Sequence, residues 1–228
     1  MAYLFTPAEI PSVPVAGVER SFPVRRIFCV GRNYAEHARE MGGDPDREPP
    51  FFFTKPADAV VMSGSDIPYP SATENFHFEM ELVVAIGKEG KNIAKEDARS
   101  HVFGYAAGID LTRRDLQKKA KDKGRPWDSG KAFDNSAPCA AITSAADAGD
   151  IETADIRLTV NGETRQSANI SDLIWSIDDV IVFLSAEFEL KPGDLIYTGT
   201  PAGVGPLKVG DAVVGTVGDL SPIEIKIV

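Results

Sequence analysis

Sulfur and imidazole are scarce in this chain: of 228 residues, two are cysteine and three are histidine. Cys29 and Cys139 form no CxxC pair and no framework of even spacings. That sets aside a disulfide scaffold and a dithiol redox motif, and it suits a reducing cytoplasm. With only His37, His77 and His101, a zinc centre built on several imidazoles is set aside too. No apolar run approaches the ~18 residues that a membrane span needs. The start, MAYLFTPAEIPSVPVAGVERSFPV, has no basic leader and is broken by Pro7, Pro11, Pro14 and Pro23, so no signal peptide is expected. Positive charge is in deficit, 24 Lys+Arg against 34 Asp+Glu, a formal net charge of −10. Such a surface repels phosphate backbones and anionic headgroups, so neither nucleic acid nor membrane is an expected partner.

What remains is the composition of an ordinary globular protein, 43% hydrophobic and 25% charged, long enough to bury a sizeable core. Repeats and low-complexity tracts are lacking, and residues 1–228 read as one domain. The proline-rich residues 1–24 read as a surface arm or an edge strand. Strand-like runs cover 26–30, 50–55, 76–86, 101–109, 156–160, 194–198, 212–217 and 223–228. Asn161-Gly162 between two of them marks a hairpin, because both turn positions take positive φ. At most three helices are expected. The first starts near Asn33, which offers an N-cap with Glu36 in capping-box spacing, and ends at Gly42-Gly43. The second spans about 113–123 and is too charged for a core. The third spans 177–187, opened by Ser176 and striped by Ile177, Val180, Ile181 and Leu184. Strands outnumber helices without βαβ alternation, which argues for a β-rich α+β domain.

The most informative run is Phe76-His-Phe-Glu-Met-Glu-Leu-Val-Val-Ala-Ile86. Its period of two predicts a half-buried strand with Glu79 and Glu81 on one face, roughly 7 Å apart. Two readings fit: a solvated outer face, or a pair screened by a cation. The same face turns apolar at Val83 and Ala85, and the apolar run 102–109 delivers Asp110 at its end. Three carboxylates from two strands form a hard oxygen site suited to Mg²⁺, Mn²⁺ or Ca²⁺.

On the first helix His37 and Glu40 share a face. They fit an exposed histidine with an ion-pair neighbour, or a general base oriented by a carboxylate. Residues 113–131 carry eight basic and three acidic side chains. They fit a solvated helix, or a lid that offers cations to an anionic substrate. Lys131, between Gly130 and Ala132-Phe133, is the member expected to turn inward. The loop Thr198-Gly-Thr-Pro-Ala-Gly-Val-Gly-Pro206 lacks the Lys-Ser/Thr of a phosphate loop. It is either a rigid structural turn or one in which Thr200 serves a carboxylate or oxyanion.

Taken together, the segments Cys29–Met41, Phe78–Leu82, Gly108–Gln117, Gly124–Asp134 and Thr198–Gly205 resemble the fumarylacetoacetate hydrolase family, in its short acylpyruvate and fumarylpyruvate hydrolase branch. The resemblance runs from about residue 24 onward. It implies a mixed β-roll or β-sandwich catalytic domain, a homodimer, and Mg²⁺ or Mn²⁺ on Glu79, Glu81 and Asp110. It implies that His37, oriented by Glu40, activates water and that Lys131 stabilises developing negative charge. Arg32, Arg114, Gln117 and Thr200 would contact a small anionic keto acid. A further aspartate of the longer family members has no matching position. The implied activity is hydrolysis of the C–C bond of an acylpyruvate, first of all fumarylpyruvate to fumarate and pyruvate, in aromatic catabolism. The alternative on the same scaffold is oxaloacetate decarboxylation or tautomerisation. For recognition of a distal substrate carboxylate, Arg113 and Tyr34 are the candidates.

Overall fold

The computed structural model describes residues 3–36 and 49–228. Its frame is an eight-stranded mixed sheet. Seven strands follow one another across it: Phe51–Lys55, Arg26–Gly31, Asp194–Tyr197, Met80–Ile86, Val102–Ile109, Ala137–Cys139 and Val60–Met62. Thr143–Ser144 pairs beside Val102–Ile109. A five-stranded sheet, ordered Glu163–Asn169, Asp155–Val160, Ala212–Val217, Ile223–Ile227 and Ser65–Ile67, closes over one face. The result is the α+β architecture that the strand-rich sequence predicts, in the curled, roll-like form that the family resemblance implies.

The central strand Met80–Ile86 corrects the expectation of a half-buried strand: every residue in it is buried. Its even residues Met80, Leu82, Val84 and Ile86 join a core with Leu158, Val213 and Ile225 of the five-stranded sheet and with Val180, Ile181 and Leu184 of the helix Ile177–Glu187. Its odd residues Val83 and Ala85 face a second core made with Cys29, Ala106, Cys139 and Tyr197. That second core is covered by Val13, Phe22 and Val24. Within residues 1–24, the described residues 3–10 are an exposed arm, and the part that follows contains strand. Ser12–Pro14 and Ser21–Pro23 pair with each other, and their buried side chains roof the sheet. Alternation alone could not announce this, because Val83 and Ala85 are small and the glutamates before them read as a solvated face.

Local chemistry fixes the remaining elements where the sequence places them. Asn161 and Gly162 have φ of 52° and 80° and join Val160 to Glu163 across a hairpin. The helix Ile177–Glu187 opens with a capping box between Ser176 and Asp179. The charged helix spans Arg114–Asp122 with Gln117 and Ala120 turned inward. An additional four-residue helix, Asp128–Lys131, follows it. Asn33, expected as a cap, also binds distant backbone. Its buried amide donates to the carbonyls of Trp175 (3.0 Å) and Thr198 (2.8 Å) and accepts from the Trp175 N–H (2.8 Å). These contacts tie residue 33 to backbone at 175 and 198. The expected helix end at Gly42-Gly43 lies outside the described residues.

Both thiols belong to the second core and are fully buried. Burial pushes Cys139 up to about 12 and Cys29 well above its ordinary value. Thiolate is the nucleophilic form, so iodoacetamide at pH 8 should leave both cysteines unmodified in the native protein and alkylate both in denaturant. Mass spectrometry reads the result; native-state labelling of either would contradict the packing.

Candidate metal centre and active-site cavity

The run of alternating residues from Phe76 does not continue as one strand. Phe76–Phe78 pairs with Thr112–Arg113 and with Gly205–Pro206 in a small three-stranded sheet. The chain then crosses to the large sheet, and Glu79 occupies the crossing. Its carbonyl accepts the Asp110 N–H at 2.8 Å. Pairing resumes with Met80 opposite Ile109 and Glu81 opposite Gly108. Glu79 and Glu81 thus flank the first residue of one strand, and Asp110 lies one residue beyond its neighbour's end. Ligand-competent oxygens from the three carboxylates lie within 4.8 Å of one another, all on buried residues.

Three carboxylates this close and this dry repel unless cations enter. Lys131 supplies one: its Nζ donates to Glu79 Oε2 (2.7 Å), Asp110 Oδ2 (2.6 Å) and Thr112 Oγ1 (2.7 Å). Burial pulls the Lys131 ammonium down, but Asp110 and Glu79 hold it above its usual range. Lys55 supplies another. Its Nζ lies 2.7 Å from Asp110 Oδ1 with no side-chain exposure, and it donates to the carbonyls of Leu111 and Lys131. Arg114 adds a guanidinium on Glu79 Oε1 and donates to Gln117 Oε1 at 2.6 Å. Glu81 is matched less closely. It accepts the Gly199 N–H at 2.8 Å, while burial, Asp110 and Glu79 raise its carboxyl well above the usual range. A divalent cation relieves that deficit, and an all-carboxylate donor set without sulfur or imidazole suits a hard ion. The residues fit the metal.

Two glycines bring the walls together. A Cβ on Gly31 would lie 2.1 Å from the Phe51 ring; its absence lets Phe51 pack there and sends Arg32, at φ 57°, over that ring. Gly199, at φ 101°, lies against Asn33, where a Cβ would meet the Asn33 side chain at 2.7 Å. Next to it Thr200 is buried, and its hydroxyl accepts from Gln166 Nε2 at 2.8 Å. Gln166 Oε1 is occupied by the Met80 N–H and its Nε2 also serves the Pro201 carbonyl. With the amide fixed as donor, the Thr200 hydroxyl keeps its own proton for a ligand.

Arg32, Glu79, Glu81, Arg114, Gln117, Lys131 and Thr200 line one cavity of about 380 Å³, with Val30, Phe53 and Trp127 as its apolar side. Asp110 lies behind Lys131. The cavity therefore gathers the expected metal and substrate residues, while His37 and Glu40 lie outside the described residues. Arg113 and Tyr34 do not line it. The Arg113 guanidinium stacks 4.3 Å over Phe133, and Tyr34 borders a separate cavity with Ser167 and Asp172. Lys55 and Gln166 were not legible as site residues: a lysine ending an aromatic strand and a glutamine in a polar hairpin both read as surface.

A buried oxygen triad between two sheets, opening on a cationic cavity, defines a metal-dependent enzyme site built for a small anion. The sequence pattern described as fumarylacetoacetate (FAA) hydrolase C-terminal matches residues 26–228, and the chain belongs to the fumarylacetoacetate hydrolase family. It is 46% identical over 189 residues to a fumarylpyruvate hydrolase of Ralstonia sp, covering 82% of this chain and 98% of that protein. It is 41% identical to an oxaloacetate tautomerase of Escherichia coli, covering 88% and 91%. The crystal structure of fumarylpyruvate hydrolase from Pseudomonas aeruginosa in complex with Mn²⁺ and pyruvate superposes with a TM-score of 0.97. The two sequences are 51% identical, with 100% of this chain and 99% of that one covered.

The Lys55–Asp110 pair yields a test. Removing one partner of a buried ion pair costs about 3–5 kcal/mol, so metal-free Lys55→Met should unfold at lower denaturant by that margin. Added Mn²⁺ should stabilise this variant more than the wild type, since the ion restores cationic charge to Asp110. Equal Mn²⁺ stabilisation of both proteins in urea titrations would show that Lys55 does not balance the metal ligands.

Proposed function

We propose that this chain is a metal-dependent hydrolase that cleaves the carbon–carbon bond of an acylpyruvate, with fumarylpyruvate as substrate and fumarate and pyruvate as products. The observation that carries it is the buried convergence of Glu79, Glu81 and Asp110, with the two glutamates lining a cavity whose other polar walls are largely cationic. The fumarylpyruvate hydrolase relatives, similar along almost their full length, support the substrate. Mg²⁺ or Mn²⁺, with Ca²⁺ as a further hard-ion alternative, held by the three carboxylates supplies Lewis acidity toward the keto-acid oxygens.

The chain's own groups do the rest. In this reading His37, oriented by Glu40, takes a proton from water, which adds to the carbonyl remote from the pyruvate end. The bond between that carbonyl carbon and the methylene breaks. The water oxygen stays with the acyl product as a carboxylate, and the pyruvate enolate takes up a proton. Lys131, held beside Glu79 and Asp110, stabilises the negative charge that develops at the reacting oxygens. Arg114 and Gln117, already joined by a hydrogen bond, hold the keto acid with Arg32, and Thr200 donates its hydroxyl proton to it. Fumarylpyruvate as substrate supports a role in aromatic catabolism. The unpaired buried thiols support a cytoplasmic setting. The exposed apolar side chains of Tyr3, Leu4, Phe5 and Ile10 support a homodimer that covers them.

Similarity to oxaloacetate tautomerases favours one second reading: enolisation or decarboxylation of oxaloacetate on the same carboxylates without a water nucleophile. Loss of the fumarylpyruvate enol absorbance, beside pyruvate release and keto–enol exchange of oxaloacetate, separates the two. Fumarylpyruvate cleavage should fall by about 10²–10⁴ in His37→Ala and vanish in Glu79→Ala. Turnover of oxaloacetate alone, kept by His37→Ala and lost by Glu79→Ala, would replace the hydrolase with the second reading.

A further inference from the structure

The helix Arg114–Asp122 turns more toward the cavity than the keto-acid contacts require. Arg114, Gln117, Lys118 and Lys121 stand at i, i+3, i+4 and i+7, the spacing of a single helical face, and all four line the cavity. Arg114 and Gln117 form the deep end, where Arg114 reaches Glu79. Lys121 stands two turns further along, about 10 Å on by helical rise, toward the mouth. Lys118 is paired with Asp122, which also lines the cavity, and its side chain is 73% exposed. Between the ends, Phe53 and Trp127 give an apolar side, packed ring to ring. The cavity thus has a floor of carboxylates suited to a metal ion, an apolar side and a second pair of cations further along the helix, in a protein of net charge −10.

We propose that Lys118 and Lys121 form a distal carboxylate subsite that selects acylpyruvates whose acyl chain ends in an acid. The proposal rests on the hydrolase reading for the orientation of the substrate, pyruvyl end inward. The carbon chain runs along Phe53 and Trp127, and the terminal carboxylate meets the two ammonium groups at the mouth. Lys118 exchanges Asp122 for the substrate's carboxylate, so its charge is paired in both states, and Lys121 adds attraction that an uncharged acyl end does not receive. Asp122 competes for the same ammonium and tempers the preference.

The test compares fumarylpyruvate with acetylpyruvate, which carries the same reacting group and a methyl end. The ratio of their kcat/KM values should fall about tenfold in Lys118→Met/Lys121→Met, a charge-assisted contact discounted for solvent. It should rise in Asp122→Asn. Raising ionic strength should narrow the wild-type ratio and leave the double variant's ratio flat. Calorimetric Kd values of both compounds for Mn²⁺-loaded protein should show the same loss of discrimination. This binding measurement decides the subsite even if the wild type cleaves neither compound, an outcome that would refute the hydrolase reading separately. A ratio equal to the wild type's in the double variant, in turnover and in binding, would overturn the proposal. So would an equal loss on both compounds.

Discussion

Holding three carboxylates together away from water is the constraint around which the rest of this molecule is arranged. Their mutual repulsion opposes folding, and burial strengthens it by lowering the effective dielectric. The chain answers with two buried lysines and an arginine, each aimed at a different oxygen: Lys55 at Asp110 Oδ1, Lys131 at Asp110 Oδ2 and Glu79 Oε2, Arg114 at Glu79 Oε1. Glu81 has the backbone N–H of Gly199 instead. Compensation is therefore uneven by construction. It is tightest behind Asp110 and weakest at Glu81, on the cavity side, where an entering cation has most to gain.

That distribution depends on the sheets. A strand that crosses from the three-stranded to the eight-stranded sheet at Glu79 frees one residue from regular pairing, so its carboxylate converges with that of Glu81. The strand end at Ile109 brings Asp110 to the same point from the neighbouring strand. The two lysines arrive from different elements, Lys55 from the edge strand Phe51–Lys55 and Lys131 from the four-residue helix Asp128–Lys131. Lys55 donates to the Lys131 carbonyl, so the short helix is tied to the strand by the residue it works beside. Loss of the Lys55 side chain removes that tie as well as a positive charge.

How much of this was legible in the sequence follows from range. The Asn161-Gly162 turn and the Ser176 capping box are local signals, and the elements they mark formed where expected, whereas the alternating run 76–86 split between two sheets at Glu79. The metal triad was legible because alternation and a strand end placed its members, and family motifs placed Lys131, Arg114, Gln117 and Thr200. Long-range pairings were not. Asn33 reads as an N-cap residue type, and nothing local announces that its amide also joins backbone groups of residues 175 and 198. The second core was hidden because its cover comes from residues 13–24, whose prolines read as an arm. Lys55 and Gln166 do their work only through contacts far along the chain, and residue type at those positions reads as surface.

The charge balance also bears on which molecule the cavity accepts. Before a cation binds, the three carboxylates and their three basic partners are formally neutral together, so the floor has little attraction for an anion. A divalent ion makes the floor cationic, and an α-keto carboxylate then offsets part of that charge. Lys131 and Lys55 are already committed to Glu79 and Asp110, so they are poorly placed to serve a second carboxylate on the same substrate. It must meet cations elsewhere or remain in water. The charged helix provides them within the same cavity, on the face it shares with Arg114 and Gln117. Its run of lysines, too polar to build a core, is thus placed where a chain of overall negative charge would otherwise repel its substrate. After cleavage the two carboxylates belong to different molecules, each held at one end only, and each product leaves against fewer contacts than the substrate made.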